Sequence, residues 1–361
     1  MQASGRTMQA SRLRTSRVHL RSVNRGANAR VRPVARAAVE LEEIDPMTGM
    51  PIAKTNAMNP VAGYSVEVGG VRWAYRASEP DASVAGSGKP TVLLLHGLGS
   101  SSYSFRNTLG LLGAEGYTAI APDWPGHGDS DKPANFDFSE AGYTRALDGF
   151  IAAAGIKGPV ALVVQGFILP QYALLWALAN EGKVERLMVL NTPLATSSKL
   201  RPELAAYKNP VAFMRPKGFA GDLYNASGSA YVMERKVADV YAKPYSEPGA
   251  VAAVAATMDK VDFGKLLAKV NDGFRSWRRP SVVLFGGSDP FIPVASAFEF
   301  LEDKRTNMKV VTAAAKLGHM PQEDFAEAIH QDAMLPWLRG DTDAWSSGKQ
   351  LKMTKKGAVE V

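Results

Sequence analysis

Five residues of this 361-residue chain stand directly after apolar runs that predict β-strands. In chain order they are His96, Asp123, Gly166, Asp289 and His319. The carboxyl ends of parallel strands meet at one edge of a sheet, so these residues can converge on one site. An aspartate beside a histidine orients the imidazole for general-base chemistry. The sequence therefore predicts that Asp289 and His319 form an acid–base pair. The alternatives are helix capping by Asp289 and a packing role for His319.

The turn around Gly166 has the pattern of a site that holds an attacking side chain. Residues 160–172 predict a buried strand, a sharp turn and the start of a helix. In enzymes with the G-x-S-x-G pattern, a nucleophile occupies the centre of such a turn. Here the centre is Gly166, which has no side chain to attack a substrate. Glycine takes the positive φ of a strained turn at little cost. We therefore expect the turn to persist although the covalent chemistry is lost.

Strands and helices alternate along most of the chain with short connections. This order predicts an α/β fold, with a mostly parallel twisted sheet flanked by helices. Between residues 195 and 275 the strand signal disappears, which indicates a helical insertion over the carboxyl edge of the sheet. The expected divisions are 1–39 (targeting segment), 40–62 (linker), 63–194 (core, first part), 195–275 (helical cap), 276–340 (core, second part) and 341–361 (mobile tail). We expect the core to end in one helix over about 323–338.

The first 39 residues differ in composition from the rest of the chain. They hold nine arginines and no Asp or Glu, and without them the 42 basic residues fall to 33, against 35 acidic residues. The rest of the chain is therefore nearly neutral, and its charge does not indicate nucleic-acid binding. An Arg- and Ser-rich segment without acidic residues predicts an organelle transit peptide. The small residues at 34–38 favour a chloroplast over the alternatives, a mitochondrial presequence or a disordered basic tail. No apolar run reaches the length of a transmembrane segment.

Composition also narrows the possible chemistry. The chain has no cysteine, which excludes disulfides, thiolate nucleophiles and cysteine metal ligands. Its five histidines are widely scattered, and no His or carboxylate cluster has metal-binding spacing. We therefore expect neither a metal site nor a cofactor.

Several sequence blocks together carry a family resemblance. They are 95–97 (LHG), 101–107 (SSYSFRN), 121–123 (APD), 126–133 (GHGDSDKP) and 163–167 (VVQGF). With these blocks the chain resembles an α/β-hydrolase-fold protein from about residue 64 to 340. Within that fold it is most similar to the haloalkane dehalogenase and epoxide hydrolase branch. The resemblance implies an α/β-hydrolase core with a helical cap.

The resemblance also assigns roles to positions of this sequence. It makes Gly166 the nucleophile position, Asp289 the acid and His319 the base. It implies that the backbone N–H groups of Leu98 and Phe167 form an oxyanion hole. His96 and Gly97 would border the same site.

The chain departs from both families at that site. A dehalogenase needs an aspartate nucleophile followed by a halide-binding tryptophan, and this sequence has Gly166 and Phe167. Leu98 stands where dehalogenases usually carry a second halide donor, and Gly99 where epoxide hydrolases usually carry proline. The bulky Val164 and Ile168 replace the small residues that flank the turn. These departures remove the covalent mechanism of either family.

Three functions remain compatible with the sequence. The first is a non-catalytic protein that binds a small apolar ligand or a protein partner under its cap. The second is an enzyme in which His319 and Asp289 act as a general base without a covalent intermediate, of hydrolase or lyase type. The third is a hydrolase with its nucleophile elsewhere, for which a serine within 100–102 is one candidate. The cap also holds five tyrosines, a residue type that epoxide hydrolases use as acids; they are Tyr207, Tyr224, Tyr231, Tyr241 and Tyr245.

Overall fold

The computed structural model describes residues 58–80, 88–216, 233–301, 307–313 and 317–341, and the backbone of 32–33, 351–354 and 357–360. The rest of the expected targeting segment, most of the linker and cap residues 217–232 lie outside the described residues. So does the expected mobile tail, apart from Asp341 and the two short strands named below.

A nine-stranded sheet forms the centre of the fold, in the spatial order β1-β2-β3-β5-β4-β6-β7-β8-β9. The strands are β1 (Arg32–Pro33), β2 (Ala62–Val68), β3 (Val71–Ser78), β4 (Val92–Leu95), β5 (Ala119–Pro122), β6 (Val160–Gln165), β7 (Val184–Leu190), β8 (Ser281–Gly286) and β9 (Met308–Ala313). Strands β4 to β9 are mutually parallel, whereas β3 pairs antiparallel with both β2 and β5. The sequence prediction of a mostly parallel α/β sheet is confirmed. Two further strands, β10 (Leu351–Thr354) and β11 (Gly357–Glu360), form a separate hairpin.

Helices cover both faces of the sheet. They are α1 (Arg106–Ala114), α2 (Glu140–Ala153), α3 (Leu169–Ala179), α4 (Pro202–Ala205), α5 (Arg235–Ala242), α6 (Pro248–Lys260), α7 (Phe263–Gly273), α8 (Val294–Leu301), α9 (Pro321–Asp324), α10 (Ala326–Ile329) and α11 (Leu335–Arg339). Short 3₁₀ turns span Ser102–Phe105, Glu181–Lys183, Ala206–Lys208, Ala212–Met214 and Lys243–Ser246. Between β7 and β8 the described residues form helices and turns, and no strand, as expected of the cap. No described helix has both the length and the apolar character needed to cross a bilayer.

Alternating side chains of the central strands explain the two-sided core. In β4, Leu93 and Leu95 join an apolar cluster with α2, α3 and the cap helices, whereas Val92 and Leu94 join the cluster on the opposite face. All four side chains are fully buried. A parallel strand that is covered on both faces has a continuous apolar sequence, and this run made β4 predictable.

The last helix differs from the expected single helix over 323–338. Phe325 has an extended backbone (φ −156°, ψ 79°) that separates α9 from α10. Residues His330–Met334 then form a π-helical turn before α11, which has Pro336 in its first turn. A proline lacks an amide hydrogen and its ring crowds the carbonyl four residues earlier, so the wider turn before Pro336 relieves that clash.

Candidate active site

The turn after β6 has the sharp geometry that its sequence predicts. Gly166 follows the strand with φ +100°, and α3 begins three residues later. Ile168 has φ 68° and ψ −68°, and the Leu169 amide donates to the Phe167 carbonyl oxygen over 2.9 Å. This is a strained three-residue turn, which is unusual for a β-branched residue. The chain therefore keeps a tight strand–turn–helix with no reactive side chain at its centre.

The loop after β4 packs against this turn backbone to backbone. A Cβ atom added to Gly166 would lie 3.1 Å from the Gly97 Cα, and one added to Gly97 would lie 2.9 Å from the Phe167 nitrogen. The Leu98 amide donates to the Phe167 carbonyl oxygen over 2.9 Å. This contact differs from the expected oxyanion hole, because the Leu98 N–H is already bonded to the turn itself.

A small cavity remains beside the turn, and we call it the elbow cavity. Gly166, Phe167 and His319 border it on the core side, and Arg201 and Leu204 border it on the cap side. Its volume is about 20 Å³, enough for about one water molecule. The Phe167 ring borders the cavity, is 2 % exposed and has its centroid 5.3 Å from that of His319.

The expected acid–base pair is assembled. Nδ1 of His319 lies 2.8 Å from Oδ2 of Asp289, and the Asp289 side chain is completely buried. The other carboxylate oxygen, Oδ1, accepts the amide hydrogens of Phe291 and Ile292 at 2.8 and 3.2 Å. Asp289 thus both orients His319 and holds the turn that follows β8. It does not cap the next helix, which begins at Val294.

Asn191 completes the support of the pair. It ends β7 in a left-handed conformation (φ 35°), and its Nδ2 donates to Asp289 Oδ2 over 2.7 Å. Its Oδ1 accepts the Gly286 amide hydrogen over 2.9 Å, which fixes the side chain between two strands. Sequence analysis did not single out Asn191. The sequence signal for Asn191 is the one that identified Asp289, because each is a polar residue directly after a parallel strand.

Charge and hydrogen bonding set the protonation of the pair. Burial opposes ionisation of Asp289, but the neighbouring His319 and the hydrogen bonds from His319, Asn191 and Phe291 hold its pKa below the ordinary value. An ionised carboxylate favours the tautomer that has its proton on His319 Nδ1, and in that neutral tautomer Nε2 carries the lone pair. An imidazole held in this tautomer can accept a proton at Nε2.

His96 and Asp123 brace the loops near the site and do not border the elbow cavity. His96 Nδ1 pairs with the Gly97 carbonyl oxygen at 2.8 Å, and its Nε2 accepts the Trp124 amide hydrogen at 3.3 Å. Burial lowers the pKa of His96 to about 4, so the ring is neutral at physiological pH. Asp123 is also buried, and it accepts the amide hydrogens of Ser102 and Asp129 at 2.6 and 2.8 Å. These contacts give both residues a structural role in the loops, and His96 does not border the site as the resemblance implied.

Three other polar residues, Ser100, Gln165 and Arg201, border the elbow cavity, and Gln165 Nε2 donates to the His319 carbonyl oxygen over 2.8 Å. Arg201 of the cap is 5 % exposed; its guanidinium lies 4.0 Å from the centroid of Phe291, whose ring packs edge-on against His319. The buried Ser100 hydroxyl has no hydrogen-bond partner in the described part of the chain. Of the three serines at 100–102, Ser100 is therefore the candidate for an alternative nucleophile. No hydrogen bond joins its hydroxyl to His319.

The described cap tyrosines take part in cap–core contacts. The Tyr241 hydroxyl donates to Glu323, and the Tyr245 hydroxyl donates to the Ser100 carbonyl oxygen over 3.1 Å. Neither of them, nor Tyr207, borders the elbow cavity. Tyr224 and Tyr231 lie outside the described residues. Within the described ranges, no group of three or more His, Asp or Glu side chains has the arrangement of a metal site.

The chain is similar in sequence to known hydrolases. A family model described as the alpha/beta hydrolase family matches residues 92–332. A haloalkane dehalogenase of Psychrobacter cryohalolentis is 26 % identical over 250 residues, which cover 66 % of this chain and 80 % of that one. An epoxide hydrolase 3 of Siraitia grosvenorii is 54 % identical over 46 residues, 13 % of this chain and 15 % of that one.

Other sequence matches are short. An uncharacterized protein of Mycobacterium bovis is 39 % identical over 90 residues, 25 % of this chain. That match spans only 24 % of the mycobacterial protein.

Solved structures show the same fold. The haloalkane dehalogenase DbeA from Bradyrhizobium elkani has a TM-score of 0.65 at 22 % identity, and the match covers 79 % of this chain and all of that one. A putative lipase from Acinetobacter baumannii has a TM-score of 0.61 at 23 % identity, covering 78 % and 93 %. The fold and the resemblance to the dehalogenase and epoxide hydrolase branch are confirmed.

Proposed function

Because the chain belongs to the alpha/beta hydrolase family, we propose that it is a hydrolase-fold protein that binds a small apolar ligand under its cap and lacks covalent hydrolase chemistry. One observation carries this proposal. Gly166 supplies no attacking side chain, a Cβ atom there would lie only 3.1 Å from the Gly97 Cα, and the Leu98 amide, one expected oxyanion donor, is already bonded to the Phe167 carbonyl oxygen. Covalent catalysis requires both an attacking atom and free donors for the developing charge.

The lining of the elbow cavity supports an apolar ligand. Leu98, Phe167, Leu204 and Met320 contribute buried apolar side chains to it. A cavity of about 20 Å³ admits a ligand only after the Phe167 ring or the cap moves. An apolar ligand replaces the contacts that such a movement breaks, so its binding selects the open conformation.

Equilibrium binding tests this proposal. The unfolding midpoint of the full chain is measured with a panel of small apolar compounds such as benzene, cyclohexanol and 1-hexanol. At 100 times its dissociation constant, a bound compound stabilises the folded state by about 2.7 kcal/mol. Leu204→Phe fills the cavity from the cap side and is expected to abolish the shift.

Val211→Phe is the matched control, because Val211 is 39 % exposed and outside the cavity lining. The binding proposal fails if no compound shifts the midpoint, or if Leu204→Phe responds like the wild type.

A protein partner is the other binding mode that we infer for the cap. Phe213 and Met214 are 79 % and 61 % exposed in adjacent positions, which is unusual for large apolar side chains. Replacing both with Ser is expected to abolish complex formation in a pull-down from cell extract and to leave apolar-ligand binding unchanged.

A second function is favoured by the His319–Asp289 hydrogen bond of 2.8 Å. In this candidate His319 takes a proton from a water molecule, and the water oxygen attacks the carbonyl carbon of an ester without a covalent enzyme intermediate. The ester C–O bond then breaks, and the leaving alkoxide takes the proton back from His319. Ester hydrolysis measured against pH tests it. The candidate is supported if the wild-type rate rises with pH through one ionisation and if His319→Ala is at least 100-fold slower. Equal rates for the wild type and His319→Ala rule it out.

We also propose that the first 39 residues direct the chain to the chloroplast, on the basis of their nine arginines and absence of acidic residues. Import of the labelled full chain into isolated chloroplasts, and not into mitochondria, is the expected result. Uptake by mitochondria alone would assign the segment to that organelle instead.

A further inference from the structure

A second cavity lies on the other side of the loop that follows β4, and we call it the polar cavity. Ser100 borders the elbow cavity, whereas the next residue, Ser101, borders the polar cavity. Its volume is about 360 Å³, within the range of small-molecule binding sites. Its walls come from β3, the loop at residues 128–132, and the cap near Lys243 and Glu247.

The acidic residues of this cavity are already paired. Asp131 accepts the Arg72 amide hydrogen over 3.0 Å and lies 3.2 Å from the Arg72 guanidinium. Asp123 accepts two backbone amides, and Glu247 lies 3.2 Å from the Lys132 ammonium. That ammonium also donates to two carbonyl oxygens at 3.0 and 3.1 Å. The negative charge around the cavity is therefore largely compensated.

Two cationic side chains retain unused donors. Nε of Arg76 is buried and has no hydrogen-bond partner, and its nearest acidic contact is a 3.5 Å ion pair between Nη2 and Asp129. Lys243 forms no ion pair or side-chain hydrogen bond with any described residue. A buried guanidinium N–H without an acceptor is costly, and a bound anion removes that cost.

The cavity also offers neutral donors and an aromatic wall. The hydroxyl-bearing residues Ser101 and Tyr103 both border it. The Arg76 guanidinium lies 5.6 Å from the centroid of the Tyr103 ring, a contact that limits its movement. A guanidinium held in place binds the planar edge of an oxyanion with little loss of entropy.

From these contacts we propose that the polar cavity binds a small dianionic oxyanion, a phosphate monoester or a dicarboxylate, through Arg76 and Lys243. Among the described residues, Lys243 offers an ammonium without an ion pair, and Arg76 offers a buried Nε–H without an acceptor although its Nη2 is paired with Asp129. An oxyanion can accept from both donors, and a phosphate monoester carries between about 1.5 and 2 negative charges at neutral pH. The volume holds about a dozen water molecules, which limits the ligand to a small polar metabolite. This ligand class and site are separate from the apolar ligand proposed for the elbow cavity.

Titration calorimetry of the full chain tests the site with inorganic phosphate and malonate as probes and glycerol as the neutral comparison. We expect at least one of the two anions to bind, glycerol not to bind, and the anion affinity to fall as salt is raised. Tighter binding of phosphate assigns the site to phosphate monoesters, and tighter binding of malonate assigns it to dicarboxylates.

Three variants decide whether the binding occurs at this site. Arg76→Met and Lys243→Met are each expected to weaken binding about tenfold or more. Lys236→Met is the matched control on the adjacent cap helix, because Lys236 is exposed and does not border the cavity. Lys243 is also exposed, so its replacement tests the site even if Arg76→Met does not fold. The proposal is overturned if neither anion binds, or if Lys243→Met binds the anion as tightly as Lys236→Met.

Discussion

The Leu98 amide donates its hydrogen to the Phe167 carbonyl oxygen over 2.9 Å, and this contact joins the loop after β4 to the turn after β6. In a covalent hydrolase of this fold, such a backbone N–H group belongs to the hole that stabilises an oxyanion. Here the turn itself uses the donor. The contact is possible because Gly97 and Gly166 both lack a Cβ atom, so the two backbones approach closely.

Restoring a nucleophile at the turn is expected to fail. Gly166→Asp and Gly166→Ser each place a Cβ atom 3.1 Å from the Gly97 Cα, on a backbone with φ +100°. The strained conformation alone costs about 1–3 kcal/mol. Both variants should therefore lose stability in chemical denaturation and gain no dehalogenase, epoxide hydrolase or esterase activity.

Gly182→Ser is the control for this pair of variants, because an added Cβ at Gly182 meets no atom within 4 Å. Its stability should stay within about 0.5 kcal/mol of the wild type. Hydrolysis gained by Gly166→Asp without loss of stability would show that the turn can open to a working geometry.

Removing the Phe167 ring is expected to enlarge the elbow cavity at a large cost in stability. A fully buried phenylalanine replaced by alanine typically lowers the free energy of unfolding by about 3–5 kcal/mol. Benzene should restore part of that loss in Phe167→Ala by filling the space, as measured by the unfolding midpoint. Phe213→Ala is the control, since Phe213 is 79 % exposed. Equal stability of the two variants would contradict the packing described for Phe167.

A buried ion pair joins two core helices, and a cap tyrosine donates a hydrogen bond to it. Two nitrogens of Arg106 contact the two carboxylate oxygens of Glu323 at 2.6 and 2.7 Å, and Tyr241 of the cap donates to the same carboxylate. Arg106→Met leaves the Glu323 charge buried without its partner, which should cost about 3–5 kcal/mol. Tyr241→Phe removes one hydrogen bond from the cap and should cost about 1–2 kcal/mol.

Arg145→Met is the control for the ion pair, because the Arg145 side chain is 69 % exposed in its contact with Asp137. Exposed pairs contribute about 0–1 kcal/mol. Denaturant titration compares these variants, and a loss of stability in Arg106→Met no greater than that in Arg145→Met would contradict the predicted contribution of the buried pair.

A buried histidine away from the site predicts a pH dependence of stability. Burial first, and the nearby Arg339 second, lower the pKa of His330 from 6.5 to about 4. The unfolded chain therefore takes up a proton at higher pH than the folded chain. The stability that neutral His330 contributes is complete above pH 6.5 and is lost as the pH falls towards 4. Over this pH range the free energy of unfolding falls by about 3 kcal/mol because of His330.

Replacing His330 with Leu tests this prediction, because neither ring nitrogen has a hydrogen-bond partner among the described residues. The free energy of unfolding of His330→Leu should fall less steeply between pH 6.5 and 4, by up to about 1.4 kcal/mol per pH unit. Part of the slope should remain, since burial also lowers the pKa values of His96 and His127. Identical pH profiles for the variant and the wild type would contradict the assignment.

The sequence predicted those features that follow from local patterns. The strand Val184–Leu190 and the helix Val294–Leu301 are elements of this kind, since a mainly apolar run marks the first and helical periodicity marks the second. The capping of α2 by Ser139 was also predictable, and the Ser139 hydroxyl accepts the Gly142 amide hydrogen over 3.2 Å. Asp289 and His319 were found because each follows a parallel strand.

Other features depend on distances between segments remote in sequence. No local pattern shows that the Leu98 amide meets the Phe167 carbonyl oxygen, because that contact joins residues on two different strand ends. The elbow cavity volume depends in the same way on where Arg201 and Leu204 of the cap pack. Pro336 was a signal for the π-helical turn just before it, whereas no comparable signal marks the break at Phe325.

Turnover by the full chain tests the central claim, that the turn at Gly166 does not support covalent hydrolysis. The measurement is the hydrolysis of ester, epoxide and haloalkane panels by the wild type, by Ser100→Ala and by His319→Ala, with a trap for a covalent intermediate. The account predicts no covalent adduct, and haloalkane and epoxide rates for the wild type equal to those of both variants. A covalent adduct, or turnover that both Ser100→Ala and His319→Ala abolish, would contradict it and move the nucleophile to Ser100.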